Sequence, residues 1–346
     1  MCTKGNRVIG HGLASQTEGH VVEAHIEVIE IGPRKGVQYH PRTIPASKKV
    51  KLVRMLFDAG FDRIEVTSFV HPKVVPQMKD AIEVMQGIQD VHQRPERETA
   101  CQVLVPNETG CREAIASRAD EIVVWIFLTD ELNQITHNRS RAETLKEINT
   151  IIGIAQTNRI PVSAYIGGAF GYPGMDSLHY DDVKGMVDKL LHLGIRQVCL
   201  NDEFCIANPR MMQDYFRTYL RDIDRSRLAV HFHDNLGLGL ANAFAAYEEG
   251  VRTFKTSLGG AGIHSDLKLA SKGKAFNQTQ SPNIPTEDLV YVFEKMGVST
   301  GIDVDRLIEC GRTMEDILES RQASRVLARG LSQRTLKQAA RLTEIA

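Results

Sequence analysis

The 346-residue sequence predicts an α/β fold, a closed (β/α)8 barrel with additional C-terminal helices, and three observations carry that prediction. Short β-branched runs alternate with helix-length amphipathic runs from one end of the chain to the other. "DAGFDRIEV", "HLGIRQVCL" and "EEGVRTFKT" repeat one device, in which a glycine ends a helix and the chain turns at once into the next strand. The strand-then-helix units number eight and most connections are short, which favours a closed barrel over the alternative, an open doubly wound sheet.

In chain order the expected strands are His25–Ile31, Arg63–Val66, Cys101–Val105, Glu121–Phe127, Pro161–Ile166, Gln197–Leu200, Leu228–His231 and Arg252–Thr256, each a short run rich in branched apolar residues. Between them amphipathic spacing predicts helices over Ser47–Ala59, Val75–Gln86, Glu108–Ser117, Ala142–Thr157, Asp181–Leu193, Arg210–Leu220, Leu236–Glu249 and, after a gap, Thr286–Met296. Residues 1–24 form an N-terminal extension, 25–300 the barrel, and 301–346 a C-terminal helical extension with helical periodicity but no strand signal.

Lys plus Arg total 42 against 43 for Asp plus Glu, so the net charge of -1 offers no global field for nucleic acid or anionic lipid. The N-terminus lacks an apolar leader core, and no stretch approaches the ~20 apolar residues of a membrane span; a soluble, cytoplasmic protein is expected. Six cysteines are scattered without a C-x-x-C pair, which argues against a disulfide framework and a zinc-thiolate site.

In such barrels chemistry sits at the carboxyl ends of the strands. There the sequence places Arg34 and Lys35 in "VIEIGPRKGVQ", Glu65 and Ser68 in "RIEVTSF", Asn107, Asp202, and His231 with His233 in "AVHFHDN". Residues i and i+2 of a strand share a face, so the two imidazoles suit a divalent metal or serve as hydrogen-bonded structural histidines. Glu65 is an acid/base or the ion-pair partner of Arg34; Asn107 is a helix N-cap or a substrate contact. Gly168 and Gly260 lie in glycine clusters that let backbone approach a ligand, and the long segment after Gly260 carries Lys268, Lys272 and Lys274, a lid over an anionic tail or a merely solvated loop.

With these residues placed, the chain resembles the 3-hydroxy-3-methylglutaryl-CoA lyase branch of the TIM-barrel metal-dependent lyases and Claisen-type synthases, from about Ile26 to Asp303. "EIGPRKGVQ", "RIEVTSFVHPKVVPQMKD", "LVPNETG", "HFHDN" and "NIPTEDLVY" carry the resemblance. It implies retro-Claisen cleavage of a 3-hydroxyacyl thioester, with His231, His233 and Asn283 as ligands of Mg²⁺ or Mn²⁺, Arg34 stabilising enolate charge, Glu65 beside it and Asp202 in proton transfer. Acyl-CoA or a hydroxy acid is the implied substrate, with no organic cofactor and, through the outer helices, a homodimer.

Two departures stand out. Lys35 occupies the place of the family's metal-binding aspartate, and Ala261 that of its catalytic cysteine. An ammonium a few Å from a bound cation repels it by roughly 4 kcal/mol at an effective dielectric of ~20, which weakens metal affinity by ~10³-fold. Three outcomes follow: the ammonium replaces the metal, Lys35 forms a Schiff base with a ketone, or the site binds without catalysis. We expect an active carbon–carbon lyase with altered metal use; a Claisen-type synthase or aldolase using Lys35 and a non-catalytic binding barrel are the alternatives.

Overall fold

Each branched apolar run becomes a strand because both of its faces find a partner, one in the barrel interior and one under the helical ring. The computed structural model describes residues 25–38, 40–92, 99–172, 180–262 and 282–336. The strands are β1 (Glu27–Glu30), β2 (Arg63–Ser68), β3 (Ala100–Leu104), β4 (Glu121–Phe127), β5 (Val162–Gly167), β6 (Val198–Asp202), β7 (Leu228–Phe232) and β8 (Thr253–Thr256). They pair in chain order, all parallel, and β8 returns to β1 in register from Glu27↔Thr253 to Glu30↔Thr256, closing the barrel. Closure leaves no exposed sheet edge.

The glycine device works as expected at Gly60. It ends the helix Ala46–Ala59 with φ 96°, its N–H bonded to Phe57 O, and a β-carbon there would lie 2.9 Å from the Gly301 carbonyl. Elsewhere local chemistry redraws the elements. The expected helix over Val75–Gln86 is interrupted, because Pro76 forces Val75 into an extended conformation (φ -131°, ψ 86°); a 3₁₀ turn at Pro76–Met78 precedes the helix Ala81–His92. Arg210–Leu220 divides into a helix over Pro209–Asp214 and a π turn over Tyr215–Tyr219. A helix absent from the expectation, Asp130–His137, follows β4, capped by Thr129 and closed by Asn138 in the left-handed conformation.

The C-terminal helix Val304–Leu318 packs beside Ala46–Ala59, with Asp303 N–H bonded to Ala59 O (2.9 Å) and Arg306 to Asp58 O (2.8 Å). A short helix at Arg325–Arg329 follows, fixed by Asp288, which accepts from Ser324 Oγ and from the Arg325 and Val326 N–H groups. The N-terminal extension 1–24 and the loop with Lys268, Lys272 and Lys274 lie outside the described residues. Among those described, no helix is long and apolar enough to cross a membrane.

The amino end of the barrel is sealed by side chains. Arg63 pairs with Glu27 and bonds Gln197, which in turn donates to Thr253. A layer of Leu104, Val123, Tyr165, Cys199 and Ala229 fills the middle. In this architecture chemistry sits at the carboxyl end.

Candidate active site

Arg34 and Lys35 do not sit in an open turn. They close a one-turn helix, Gly32–Lys35, started by Pro33, whose missing N–H costs nothing at that position. Glu30 fixes this turn: its carboxylate accepts the Gly32 N–H (2.6 Å), the Leu258 N–H (2.9 Å) and the Thr286 hydroxyl (2.5 Å), tying together the segments that follow β1 and β8. Burial raises the Glu30 pKa to about 7 against these hydrogen bonds.

Arg34 turns into the barrel and is held by Glu65, with Nε to Oε1 at 2.5 Å and a second contact from Nη2, while its Nη1 donates to Gln38 (3.2 Å). The other Glu65 oxygen accepts from Tyr165 (2.8 Å) and Lys255 (3.2 Å). Burial pushes Glu65 up, but Arg34 first, then Lys255 and the Tyr165 hydroxyl, outweigh it and hold the carboxyl at about 2. Glu65 is therefore a permanent anion. The expected ion pair with Arg34 is present.

Lys35 is buried, 6 % exposed, and its Nζ has no hydrogen-bond or ion-pair partner among the described residues; it lies 6.0 Å from the centre of the Trp125 ring. Burial and then the Arg34 charge lower its pKa, with Glu203 and Glu65 opposing. Glu203 is raised in turn by burial, although the Gly168 N–H (2.9 Å) and the Asn201 amide (2.6 Å) bond its oxygens and the Lys35 charge favours the anion. Gly168, at φ 67°, thus serves this carboxylate with its backbone.

His231 and His233 project from the end of β7 with ring centres 5.3 Å apart, and His233 bridges to Asn283. His231 Nδ1 faces the Lys255 carbonyl at 2.8 Å; a carbonyl only accepts, so the proton is on Nδ1 and Nε2 carries a lone pair. Burial and then the Lys35 charge lower its pKa to about 3, so the ring is neutral. His231 Nε2 and Asn283 Oδ1 are buried with no partner among the described residues. Asn283 is fixed by donating Nδ2 to Ala261 O (2.8 Å) and its N–H to Gly260 O (3.0 Å), with Gly260 at φ 76°.

Asp202 accepts the Ile206 and Ala207 N–H groups at 2.9 and 3.0 Å, which shapes the turn after β6, and burial raises it to about 6. Ser68 is buried at the end of β2, and its Oγ has no partner among the described residues. Asn107 is the N-cap of the helix Glu108–Ala116, one of its two expected roles: its oxygen accepts the Gly110 N–H (2.9 Å). Sequence reasoning missed Tyr165, Glu203 and Lys255. For Lys255 a signal existed, a lysine inside the apolar strand run "RTFKT".

A closed parallel barrel with charged groups gathered at the strands' carboxyl ends defines the barrel-enzyme class. A family model described as HMGL-like matches residues 25–314, and the chain belongs to that family. It is 32% identical over 301 residues to the human mitochondrial hydroxymethylglutaryl-CoA lyase, covering 87% of this chain and 88% of that protein. Identity to the rat cytoplasmic 3-hydroxy-3-methylglutaryl-CoA lyase is 32% over 298 residues, 86% of this chain and 82% of the relative. Among solved structures, an HMG-CoA lyase from Acinetobacter baumannii in complex with coenzyme A and 3-methylmalate superposes with TM-score 0.81 at 30% identity, covering 91% and 98% of the two chains. The protein is a carbon–carbon lyase of the HMG-CoA lyase type.

Lyases of this family depend on a divalent cation, and His231, His233 and Asn283 are donors of the kind such an ion takes. The remainder of the set does not fit. Among the described residues no group of three or more His, Cys, Asp or Glu is placed to hold a metal, and the charge of Lys35 bears on His231. Two imidazoles and an amide near the lysine supply no anionic ligand, and hard cations are held chiefly by carboxylates.

Proposed function

We propose that the protein cleaves the C2–C3 bond of a 3-hydroxyacyl thioester with Lys35 in the role the family gives to a metal ion. The observation that carries this is a buried amine with no hydrogen-bond or ion-pair partner among the described residues, next to an arginine already committed to Glu65. Lys35 takes the proton of the 3-hydroxyl, the O–H electrons become the carbonyl of the departing ketone, and the C2–C3 pair becomes the thioester enolate. Arg34 brings positive charge to that enolate, as preorganised groups do for charge that develops in a transition state. The ammonium then returns the proton to C2, which the Ala261 methyl cannot do.

His231 Nε2, fixed as an acceptor, orients the hydroxyl or the ammonium. The Glu203 carboxylate favours the ammonium that forms when Lys35 takes the proton. A groove of about 740 Å³, lined in part by Gly36, His40, Arg42, Gly260 and Arg321, supports a long carrier arm such as that of coenzyme A. The test is cleavage of a 3-hydroxy-3-methylacyl-CoA by chelator-treated protein. Activity that survives EDTA and disappears in Lys35→Met is expected; activity that returns only with one equivalent of Mg²⁺ or Mn²⁺ would overturn the metal's replacement.

The same unpartnered amine favours a second chemistry, attack on a ketone to form an imine. Borohydride in the presence of a keto acid would then leave a mass adduct on Lys35. Protein recovered at unchanged mass counts against it.

A further inference from the structure

Beside the reaction site, under the helix Arg141–Thr157, lies a cavity of about 110 Å³. It shares Gln38 and Trp125 with the site: Gln38 accepts from Arg34, and the Trp125 ring faces Lys35. Valine, leucine and isoleucine side chains, among them Val74, Leu104 and Ile148, supply most of the remaining wall.

Four lining residues carry a buried polar atom with no partner among the described residues: Ser68 Oγ, Trp125 Nε1, Thr136 Oγ1 and His137 Nε2. Folded proteins leave few such atoms, and four around one cavity mark a place where a ligand completes the hydrogen bonding. Its charge is balanced. Burial and then Arg139 hold His137 down at about 4, so the ring is neutral, and Arg139 itself faces Glu147 at 3.7 Å and donates to Pro106 O at 3.3 Å. An ionised carboxylate entering here would lose its water without gaining a cation of its own, which is costly.

We infer that this cavity receives the acyl tail of the substrate, an uncharged chain ending in a hydroxyl, ketone or amide. A 150 Å³ cavity accommodates benzene, so about 110 Å³ accommodates about four carbons. The assignment rests on the cleavage reading for what the tail is attached to, but occupancy of the cavity is measurable without turnover.

Trp125 is the chain's single tryptophan, and its ring borders both this cavity and Lys35, so an emission change reports the cavity when filling the cavity abolishes it. Titration of the full-length protein with pentanamide should shift Trp125 emission saturably, and glutarate should not. Thr136→Val, which removes one hydrogen-bonding group at constant volume, should weaken pentanamide about tenfold; Ile148→Phe, which fills the space, should abolish the response. With 3-hydroxy-3-methylacyl thioesters, kcat/KM should rise roughly fourfold per added CH₂ up to about four carbons. Saturable pentanamide binding without cleavage of any thioester would sink the reaction and leave the cavity's assignment standing. Glutarate binding as tightly as pentanamide, or no emission change with either, would overturn the assignment whatever the enzyme cleaves.

Discussion

Replacing Glu65 by glutamine tests the charge network under the site. The carboxylate is fully buried and its pKa is held at about 2 instead of 4.5. A difference of about 2.5 units corresponds to roughly 3 kcal/mol of folding free energy. Because the folded-state value is depressed, this contribution is complete above pH 4.5 and fades as the pH falls toward 2, with less than half remaining at pH 3. Glu65→Gln also leaves Arg34 and Lys255 buried without their common anion, and breaking such a pair from one side costs about 3–5 kcal/mol. Urea unfolding at pH 7 should therefore show the variant less stable by about 3 kcal/mol or more, with the gap narrowing in acid. Lys255→Met added to Glu65→Gln removes one stranded cation and should recover part of the loss. A deficit below about 1 kcal/mol, or one that stays constant from pH 7 to pH 3, would refute the assignment of Glu65 as a permanent anion.

Lys35→Met should unfold at higher urea concentration than the wild type while losing cleavage, because burial and Arg34 oppose the ammonium. The lysine's folded-state pKa is lowered, so the stability gain should be greatest at neutral and acid pH and shrink as the pH rises toward 10.5; a destabilised Lys35→Met would contradict the cost assigned to this amine. Lys35→Asp sets a carboxylate beside His231, His233 and Asn283, and calorimetry should detect Mn²⁺ binding at least ~10³-fold tighter than in the wild type; equal affinity of the two would show that Lys35 does not control the metal. Gly60→Ala forces an alanine to φ 96° against the Gly301 carbonyl and should cost about 1–3 kcal/mol in thermal unfolding, with full activity per folded molecule; an unchanged melting temperature would contradict the close approach.

The barrel was legible because it is written in local signals. Gly60, Gly194 and Gly250 each end a helix with a positive φ just before a strand, and those residues cannot be exchanged without strain. Helix breaks were less legible. Pro76 acts on the residue before it, and Asp130–His137 is too short for periodicity to separate it from the loop around it. Within the site, the strand ends located Arg34, Lys35, His231 and His233, but Glu203 looked like a neighbour of Asp202 until the fold brought it toward Lys35. Asn107 was ambiguous for the opposite reason, since its cap partner is three residues away and required no tertiary contact.

The one-turn helix at Gly32–Lys35 separates two functions that sequence makes adjacent. On a strand, neighbouring side chains would face opposite sides of the sheet; a helical turn sets them about 100° apart, so both enter the barrel along different directions. Arg34 is moored to Glu65 and Gln38, and Lys35 shares neither mooring. The chemical identity of position 35 is thus interchangeable without disturbing the arginine, and a lineage of such barrels can exchange a metal ligand for a proton carrier by altering a single residue.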